Sequence, residues 1–453
     1  MRRPACRRSS VLFRFTHMQW SILLIGALFA VLSVGCAGPP SLPPSPRPAG
    51  AAEWNDLVSG IRDYEEGRYL DAARRFLRII ETYPGSALLE EAQWLLAKSY
   101  HGAREKEPAI RELRAFLTNY PQSAYREEAR ALLLHLERPD QKIVAVYWRP
   151  SFHEGAQEAF PSLQKKGFNA ILLPVFDNAP GKSGLWFTAA GAPVLEDRLR
   201  EWLGAAHRAG LRVFVETPLR EMAWVTRSRP EWRDRRYDPK KRSLQAIDKL
   251  DLFNPDVRRM VLQLYRDLSR YPIDGIYLRD IYYSIEEGWT PSALDLYQRL
   301  FSERPDPAAL FGAEAAGGEG GSPSAPPFWR WVGWRSRFIS GLLNEIRMEI
   351  QSNRPYVQFG VGFPEALVSR PAQGLAEFSG DLLELRESHF DFYFLISGAG
   401  ALSTSALMEL FSKYAIRPEE VWLQRPISEA DSLLSAGAKM PFRGVVFYRE
   451  GTI

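Results

Sequence analysis

Apolar and polar residues alternate in two different ways along the chain, and the change comes near residue 140. Between residues 54 and 137 the apolar positions recur every three or four residues, which predicts amphipathic helices. From Lys142 onward, short apolar runs alternate with longer stretches of helical periodicity, which predicts strands alternating with helices. The chain is therefore expected to contain an all-α part followed by an α/β part.

The helical part contains an internal repeat. The segment YPGS at residues 83–86 returns as YPQS at residues 120–123, and small residues such as Ala72 and Ala109 occupy equivalent positions. Paired helices with a period in the thirties are typical of tetratricopeptide-type solenoids. Residues 54–137 are predicted to form such repeats, which either dock a protein partner or pack on the next domain.

Eight apolar runs in the second part are predicted strands. They are Lys142–Trp148, Ala170–Phe176, Arg212–Glu216, Gly275–Leu278, Val357–Val361, Phe392–Ile396, Val421–Gln424 and Gly444–Tyr448. This pattern favours a (β/α)8 TIM-like barrel over residues 141–453, with a doubly wound parallel sheet as the alternative. Two long loops, residues 219–253 and 281–327, follow the third and fourth strands, where barrels grip their substrates.

The best-defined unit of the α/β part runs from Asn254 to Asp280. Asn254 can cap a helix and Pro255 suits its first turn, and the apolar spacing that follows is helical. The short strand Gly275–Leu278 comes next, and Asp280 follows where that strand ends. Parallel α/β enzymes present catalytic carboxylates at this position, although Asp280 could equally cap a turn.

Other acids and rings near the strand ends complete a candidate site. Glu216 is either a second catalytic carboxylate or a buried partner of an arginine, and Asp177 lies in DNAPG, which also favours a turn. Glu286 and Glu287 are expected to be solvated. Carboxylates among aromatic rings are typical of carbohydrate sites. The rings predicted to stack on sugars are Trp148, Trp186, Trp224, Tyr282, Tyr283 and Tyr448.

Composition and charge exclude several classes of function. The 453 residues are 45% hydrophobic and 25% charged, as in globular proteins. Five arginines and no acid in residues 1–35 account for the positive balance, since the net charge is +4 with them and −1 without them. Nucleic acid binding is therefore not expected. The six histidines have no metal-ligand spacing, and no cofactor motif is present, so neither a metal nor a cofactor is predicted.

Residues 1–35 are predicted to be a signal peptide. Trp20–Val34 is an apolar run of 15 residues without charge, which is short for a membrane span. LSVGC at residues 32–36 resembles the bacterial lipobox, with its leucine one position early, and this implies cleavage before Cys36 and lipidation of that cysteine. An ordinary signal peptide or an uncleaved anchor are the alternatives. Residues 36–53, rich in proline, are a predicted tether.

The second part resembles the C-terminal glycoside hydrolase domain of the periplasmic poly-β-1,6-N-acetylglucosamine deacetylase lipoproteins of biofilm exopolysaccharide systems. The likeness is carried by LLPVFDNAPGKSGLWF at residues 172–187 and, most specifically, by LFNPDVRRMVLQLYRDLSRYPIDGIYLRD at residues 252–280. The helical part is similar to the short repeat arrays of outer-membrane assembly lipoproteins.

That resemblance implies a barrel enzyme that cleaves partly deacetylated poly-glucosamine, with Asp280 as the general acid. The family's His-Asp-Asp is here RDI at residues 279–281, and its Trp-Met-Pro is ETP at residues 216–218. Glu216, or Asp177 if its loop folds inward, would then supply the second carboxylate. The metal-dependent deacetylase half of the family is absent, so deacetylase activity is not expected.

The sequence thus predicts a lipoprotein on the periplasmic face of the outer membrane. Its barrel is predicted to be a glycoside hydrolase that acts on an amino-sugar exopolysaccharide, while the repeats dock a protein partner. The alternative is a carbohydrate-binding scaffold lipoprotein without catalysis, which holds polymer on aromatic rings during polysaccharide export or envelope assembly.

Overall fold

A computed structural model describes residues 50–137, 141–150, 155–311, 326–381, 384–385, 388, 390–396, 403–414, 416–430 and 441–448. The predicted signal peptide, most of the tether and the lipidation residue Cys36 lie outside these ranges. Within them, no helix has both the length and the apolar character needed to cross a membrane.

Five helices over residues 51–137 pack each against the next. They are α1 Ala51–Glu65, α2 Tyr69–Thr82, α3 Leu89–Gly102, α4 Lys106–Asn119 and α5 Arg126–Glu137. The predicted repeat is confirmed at the level of the backbone: Tyr83 and Tyr120 end α2 and α4 with φ, ψ of −125°, 63° and −127°, 63°. In both copies a serine N–H then donates to the tyrosine carbonyl, from Ser86 at 2.9 Å and from Ser123 at 3.1 Å.

Twelve strands follow within the described residues. They are β1 Ile143–Tyr147, β2 Ala170–Pro174, β3 Phe176–Ala179, β4 Lys182–Leu185, β5 Arg212–Thr217, β6 Arg233–Asp238, β7 Ser243–Leu250, β8 Gly275–Leu278, β9 Gln358–Pro364, β10 Phe392–Ile396, β11 Val421–Pro426 and β12 Gly444–Tyr448. Eight of them form a closed parallel barrel in the order β1-β2-β5-β8-β9-β10-β11-β12, which β12 closes by pairing with β1. Every predicted strand is present, and the (β/α)8 barrel is confirmed over the doubly wound sheet.

Helices and two hairpins surround this barrel. The hairpins β3–β4 and β6–β7 follow the second and third barrel strands. The helices are α6 Ala156–Lys165, α7 Leu199–Arg208, α8 Ala223–Ser228, α9 Pro255–Leu268, α10 Pro291–Phe301, α11 Pro307–Leu310, α12 Pro326–Asn353, α13 Ala366–Ser369, α14 Pro371–Phe378 and α15 Thr404–Lys413.

The interior of the barrel is filled by aromatic rings. Phe392 stacks on Trp422 with ring centroids 4.2 Å apart, and Phe214 meets Trp422 edge-on at 4.6 Å. Glycines on neighbouring strands make room for them: a Cβ on Gly360 would lie 2.1 Å from the Phe392 ring. The barrel is therefore a packed core rather than a pore, and its functional surface must lie at a strand end.

The helical repeats lie at the amino ends of the barrel strands. Arg347, buried on α12, donates to the Tyr69 hydroxyl of α2, and its guanidinium lies 5.6 Å from the centroid of that ring. A second contact joins His101 Nε2 of α3 to the Pro355 carbonyl at 3.1 Å. A cavity of about 640 Å³ separates α5 from the starts of β2, β5 and β8. Active sites of barrels lie at the opposite, carboxyl end of the strands.

Candidate functional site

An open cleft of about 580 Å³ lies at the carboxyl ends of β8, β9 and β10. Its walls also include α13, α14 and the loops that follow β5 and β8. Its charged lining residues are the acids Glu221, Asp280, Glu365 and Glu377 and the bases Lys249 and Arg370. The cleft thus occupies the face on which parallel barrels bind substrate, and acids outnumber bases by four to two among its charged lining residues.

Asp280 lines this cleft and is held by the loop after β5. Its Oδ1 accepts the Leu219 N–H at 2.6 Å, and its Oδ2 accepts the N–H groups of Arg220, at 2.8 Å, and Glu221. These three donors fix the carboxylate and tie the β5 loop to the end of β8. Asp280 therefore stabilises a turn and faces the cleft at the same time, so the two alternatives from the sequence are not exclusive.

Glu216 is not among the residues that line the cleft. Its side chain is 2% exposed at the end of β5, and its Oε1 lies 3.3 Å from Arg279 Nη1. Burial raises the pKa of Glu216, although Arg279 and Tyr147 act in the opposite direction. Of the two alternatives for this residue, the structure shows the buried partner of an arginine.

Arg279 lies between this buried carboxylate and the cleft. Its Nη2 is 3.8 Å from Oε2 of Glu221, a cleft residue, and its side chain is 35% exposed. A single guanidinium thus contacts one carboxylate inside the barrel mouth and one on the cleft wall.

Asp177 lies in the β3–β4 hairpin and performs a turn function. Its Oδ1 accepts the Ala179 N–H at 2.9 Å, as the turn-forming sequence predicts. The neighbouring Asn178 donates to the Glu221 carbonyl at 2.7 Å and accepts the Ala223 N–H at 3.1 Å. The hairpin therefore supports the wall of the cleft, while Asp177 itself is not one of the lining residues.

Four of the six predicted sugar-stacking rings are buried. Trp148, Trp186, Trp224 and Tyr283 are 2%, 6%, 6% and 0% exposed. Trp148, for example, packs edge-on against Phe160 and Trp202, with centroids 5.0 and 5.7 Å away. These four rings offer no open face to a sugar, so their role is corrected to core packing.

Tyr282 is the predicted ring that lines the cleft. Its hydroxyl donates to the Gly362 carbonyl at 2.8 Å, which fixes the ring, and Phe378 meets it edge-on at 6.2 Å. Tyr448 ends β12 and is half-buried against the barrel interior. Of the predicted rings, Tyr282 alone combines partial exposure with a position in the cleft wall.

A buried ion network holds together the two long loops that build the cleft. Arg220, fully buried, donates to Asp234 at 2.5 Å and to Glu287 at 2.7 Å, and Lys249 donates to Glu287 at 3.0 Å. Burial opposes ionisation of Glu287, but Arg220 and Lys249 outweigh it and lower its pKa. Glu287 is buried, so the expectation that it is solvated is wrong. Its partner Arg220 lies in the other long loop, which the sequence around Glu287 does not show.

Several cleft residues carry no sequence feature that would identify them. Glu221, Lys249 and Arg370 lie in loops or in a hairpin, and Glu377 lies on α14, so strand ends do not point to them. Glu365 is different, because it follows β9 directly and shares with Asp280 the position after a barrel strand.

The arrangement provides carboxylates beside an aromatic ring in an open cleft, which suits binding and acid–base chemistry on a sugar. Among the residues that the structure describes, no three His, Cys, Asp or Glu side chains are grouped so that they could hold a metal ion.

Comparison with known families finds two matching family models in the chain. Residues 156–373 match the family model described as glycosyl hydrolase-like 10, and residues 57–159 match that of the outer membrane lipoprotein YfiO. The PgaB (BpsB) glycoside hydrolase domain from Bordetella bronchiseptica has a similar structure, with a TM-score of 0.54 and 17% identity over 69% of this chain and 94% of that one. The resemblance stated from the sequence is confirmed, and so is the barrel fold.

Two further solved structures are less similar. The α-L-fucosidase isoenzyme 2 from Paenibacillus thiaminolyticus gives a TM-score of 0.40 and 15% identity over 68% of this chain and 45% of that one. The β-galactosidase from Bacillus circulans sp. alkalophilus gives 0.45 and 12% over 68% and 50%. This chain therefore spans about half the length of either enzyme. A search of curated proteins found no match.

Proposed function

We propose that the chain is an envelope lipoprotein whose barrel binds and hydrolyses an amino-sugar polysaccharide of the poly-glucosamine type. The observation that carries this proposal is the acidic cleft with Tyr282 in its wall. A deacetylated glucosamine polymer is cationic and would be attracted by the acids, and the ring offers a face to the sugar. The glycosyl hydrolase-like family match supports the substrate class.

Asp280 and Glu365 are the proposed catalytic pair, because each lies close after a barrel strand and lines the same cleft. Asp280 receives N–H donors on both oxygens, which hold its carboxylate in the wall of the cleft. It is therefore proposed to act as the carboxylate that stabilises positive charge at the anomeric carbon, while Glu365 donates a proton to the leaving oxygen and then takes one from the water that attacks that carbon. Glu216 is proposed to position Arg279.

The test is chain cleavage of partly deacetylated poly-glucosamine by the protein from Ala37 onward. Glu365→Gln should lower kcat by about 100-fold or more while the polymer still binds, since acid–base catalysis contributes about 10²–10⁴-fold. Asp280→Asn should lower kcat at least as much. Asp177→Asn, the same change outside the cleft, is the control and should retain activity. Activity of Asp280→Asn equal to wild type would remove Asp280 from the proposed pair.

The alternative is a carbohydrate-binding scaffold without catalysis. It is favoured by one observation, which is that both acids already have partners within the protein. Asp280 accepts three backbone N–H groups, and Glu216 is paired with Arg279. The same assay separates the two functions, because a scaffold would bind the polymer and leave its length unchanged.

Anchoring through a lipid on Cys36 is proposed from the lipobox-like segment, and the outer membrane lipoprotein match supports an envelope location. In cells, wild-type protein should incorporate labelled palmitate and fractionate with membranes, whereas Cys36→Ser should do neither. Unlabelled wild-type protein would refute the anchor and leave the catalytic proposal unaffected.

The repeats are proposed to dock a partner protein as well as the barrel. Tyr69 already contacts the barrel, while Trp54 and Val58 on α1 are 37% and 49% exposed. Trp54→Ala with Val58→Ala should reduce the envelope protein cross-linked to the chain in cells. Leu300→Ala, at a position 60% exposed on the barrel, is the control; equal losses in both variants would contradict a docking site on α1.

A further inference from the structure

The β6–β7 hairpin carries a dense positive charge beside the acidic cleft. Residues 233–250 contain seven Lys and Arg but only three Asp and Glu. One of these acids, Asp234, is fully buried against Arg220 and does not offset charge at the surface. The outer surface of the hairpin is therefore cationic, although the chain after the predicted signal peptide is close to neutral.

Most cations of this hairpin are exposed and lack a carboxylate partner. Those with no ion pair to any residue that the structure describes are Arg235, Arg236, Lys240 and Arg242. Lys241 has Asp238 at 3.7 Å, but that carboxylate mainly organises the turn, since its Oδ1 accepts the N–H groups of Lys240 and Lys241 at 3.0 and 3.1 Å. The turn thus presents three consecutive cations, residues 240–242, on a backbone fixed by hydrogen bonds.

An exposed aliphatic side chain lies beside these cations. Leu244 is 40% exposed and is paired across the hairpin with Tyr237, which is buried against the protein. Cations next to an exposed apolar side chain suit a membrane interface, where the cations approach phosphates and the apolar group enters the headgroup region. We propose that the tip of this hairpin, residues 238–244, docks on a membrane surface that bears anionic phosphate headgroups.

A polyanionic polymer is the other ligand that clustered cations attract. Two observations favour the membrane. The cations are concentrated at the apex of a hairpin, which can touch a flat surface, rather than along a groove. A polyanion that continued from the hairpin into the cleft would also meet the carboxylates of Glu221 and Asp280. Docking of the hairpin on a membrane rests on the proposed envelope location of the protein and is independent of catalysis by the barrel.

The experiment measures sedimentation of the protein from Ala37 onward with vesicles, so that no lipid anchor contributes. Binding is expected to vesicles of phosphatidylglycerol mixed with phosphatidylcholine and not to phosphatidylcholine alone. Each cation near an anionic surface contributes about fivefold to partitioning, so Lys240→Gln with Lys241→Gln should weaken binding about 25-fold. Raising the salt from about 0.1 M to about 1 M should abolish binding of the wild type, since charge is then screened within about 3 Å.

Lys165→Gln with Lys166→Gln is the matched control, because both lysines are exposed at the end of α6, by the amino ends of the strands. This variant should bind vesicles like wild type, and thermal unfolding should show that both variants are folded. Equal binding to both kinds of vesicle, or equal losses in the two double variants, would overturn the proposal. A different outcome is that alginate binds the protein in the absence of vesicles, displaces vesicles from it, and fails to bind the tip variant. That result would identify a polyanionic polymer, and not a membrane, as the ligand of the hairpin tip. Polymer cleavage by the tip variant should stay at the wild-type level, which separates this proposal from the catalytic one.

Discussion

Arg279 Nη1 lies 3.3 Å from Oε1 of Glu216 at the mouth of the barrel. The carboxylate is almost fully buried, while the guanidinium is one third exposed and reaches Glu221 on the cleft wall. The pair therefore links the packed interior of the barrel to the residues that would meet a ligand. Burial raises the pKa of Glu216, and the adjacent Arg279 acts in the opposite direction.

The free energy of unfolding of Glu216→Gln is predicted to increase relative to that of the wild type as the pH rises. Burial raises the pKa of Glu216 above its ordinary 4.5, so the folded state holds the proton more tightly than the unfolded state does. The stability from this group is fully present below pH 4.5 and is lost as the pH rises through the folded pKa. Urea unfolding of both proteins at about pH 4 and about pH 8 should show this change in their difference.

The control for that experiment is Glu127→Gln, because the Glu127 side chain is 75% exposed in the repeats. Any pH dependence in this variant measures the loss of an exposed carboxylate, and the change for Glu216→Gln should exceed it. A difference for Glu216→Gln that is independent of pH would contradict the raised pKa.

Arg220→Met is predicted to lower the free energy of unfolding by about 3–5 kcal/mol, because it leaves Asp234 and Glu287 buried without their partner. Arg299→Met removes an exposed arginine of α10 and should cost less than about 1 kcal/mol. Denaturant unfolding measures both. Similar losses in the two variants would show that the ion network does not hold the loops together.

The contact between the repeats and the barrel should appear as an energetic coupling between Tyr69 and Arg347. Tyr69→Phe removes the hydroxyl that accepts from a buried guanidinium, and the expected cost is about 1.5–3 kcal/mol. Combined with Arg347→Met in a double-mutant cycle, the two changes should couple by about 0.5–3 kcal/mol. Tyr83→Phe in the same repeat is the control and should show no coupling to Arg347→Met. Additivity within error for Tyr69 and Arg347 would contradict the contact.

Tyr282→Ala is predicted to weaken binding of glucosamine oligosaccharides about tenfold, since the ring is the proposed stacking surface. Tyr282→Phe keeps the ring and loses only the bond to the Gly362 carbonyl, so its affinity should stay near that of wild type. Calorimetric titration gives both values. Tyr125→Ala, at a ring 38% exposed in the repeats, is the control. Unchanged affinity in Tyr282→Ala would remove this residue from the site.

The barrel could be predicted from the sequence because parallel strands covered on both faces are nearly continuous apolar runs. Gly275–Leu278 and Phe392–Ile396 have the predicted bounds. The start of α9 is also as predicted, since Asn254 Oδ1 accepts the Asp256 N–H at 2.9 Å. Local chemistry determines such features, so a single segment suffices to find them.

The side chains of the candidate site could not be assigned in the same way. Both faces of β8 are buried, so its sequence does not show whether Arg279 or Asp280 turns into the barrel. The burial of Glu287 depends on Arg220, 67 residues earlier in the chain. The sequence also does not show whether a tryptophan near a strand end, such as Trp148, stacks on a sugar or packs in the core. That depends on the helices that surround it.

The repeats attach at the amino ends of the barrel strands, whereas the cleft lies at the carboxyl ends. The surface that contacts the repeats and the surface that would bind a ligand are therefore separate. Loops such as residues 219–253 can lengthen, shorten or be exchanged at the opposite end without disturbing the Arg347–Tyr69 contact. A lineage could therefore change the polymer that the cleft accepts and keep the same contact with the repeats, provided that the exchanged loops retain the buried partners Arg220, Asp234 and Glu287.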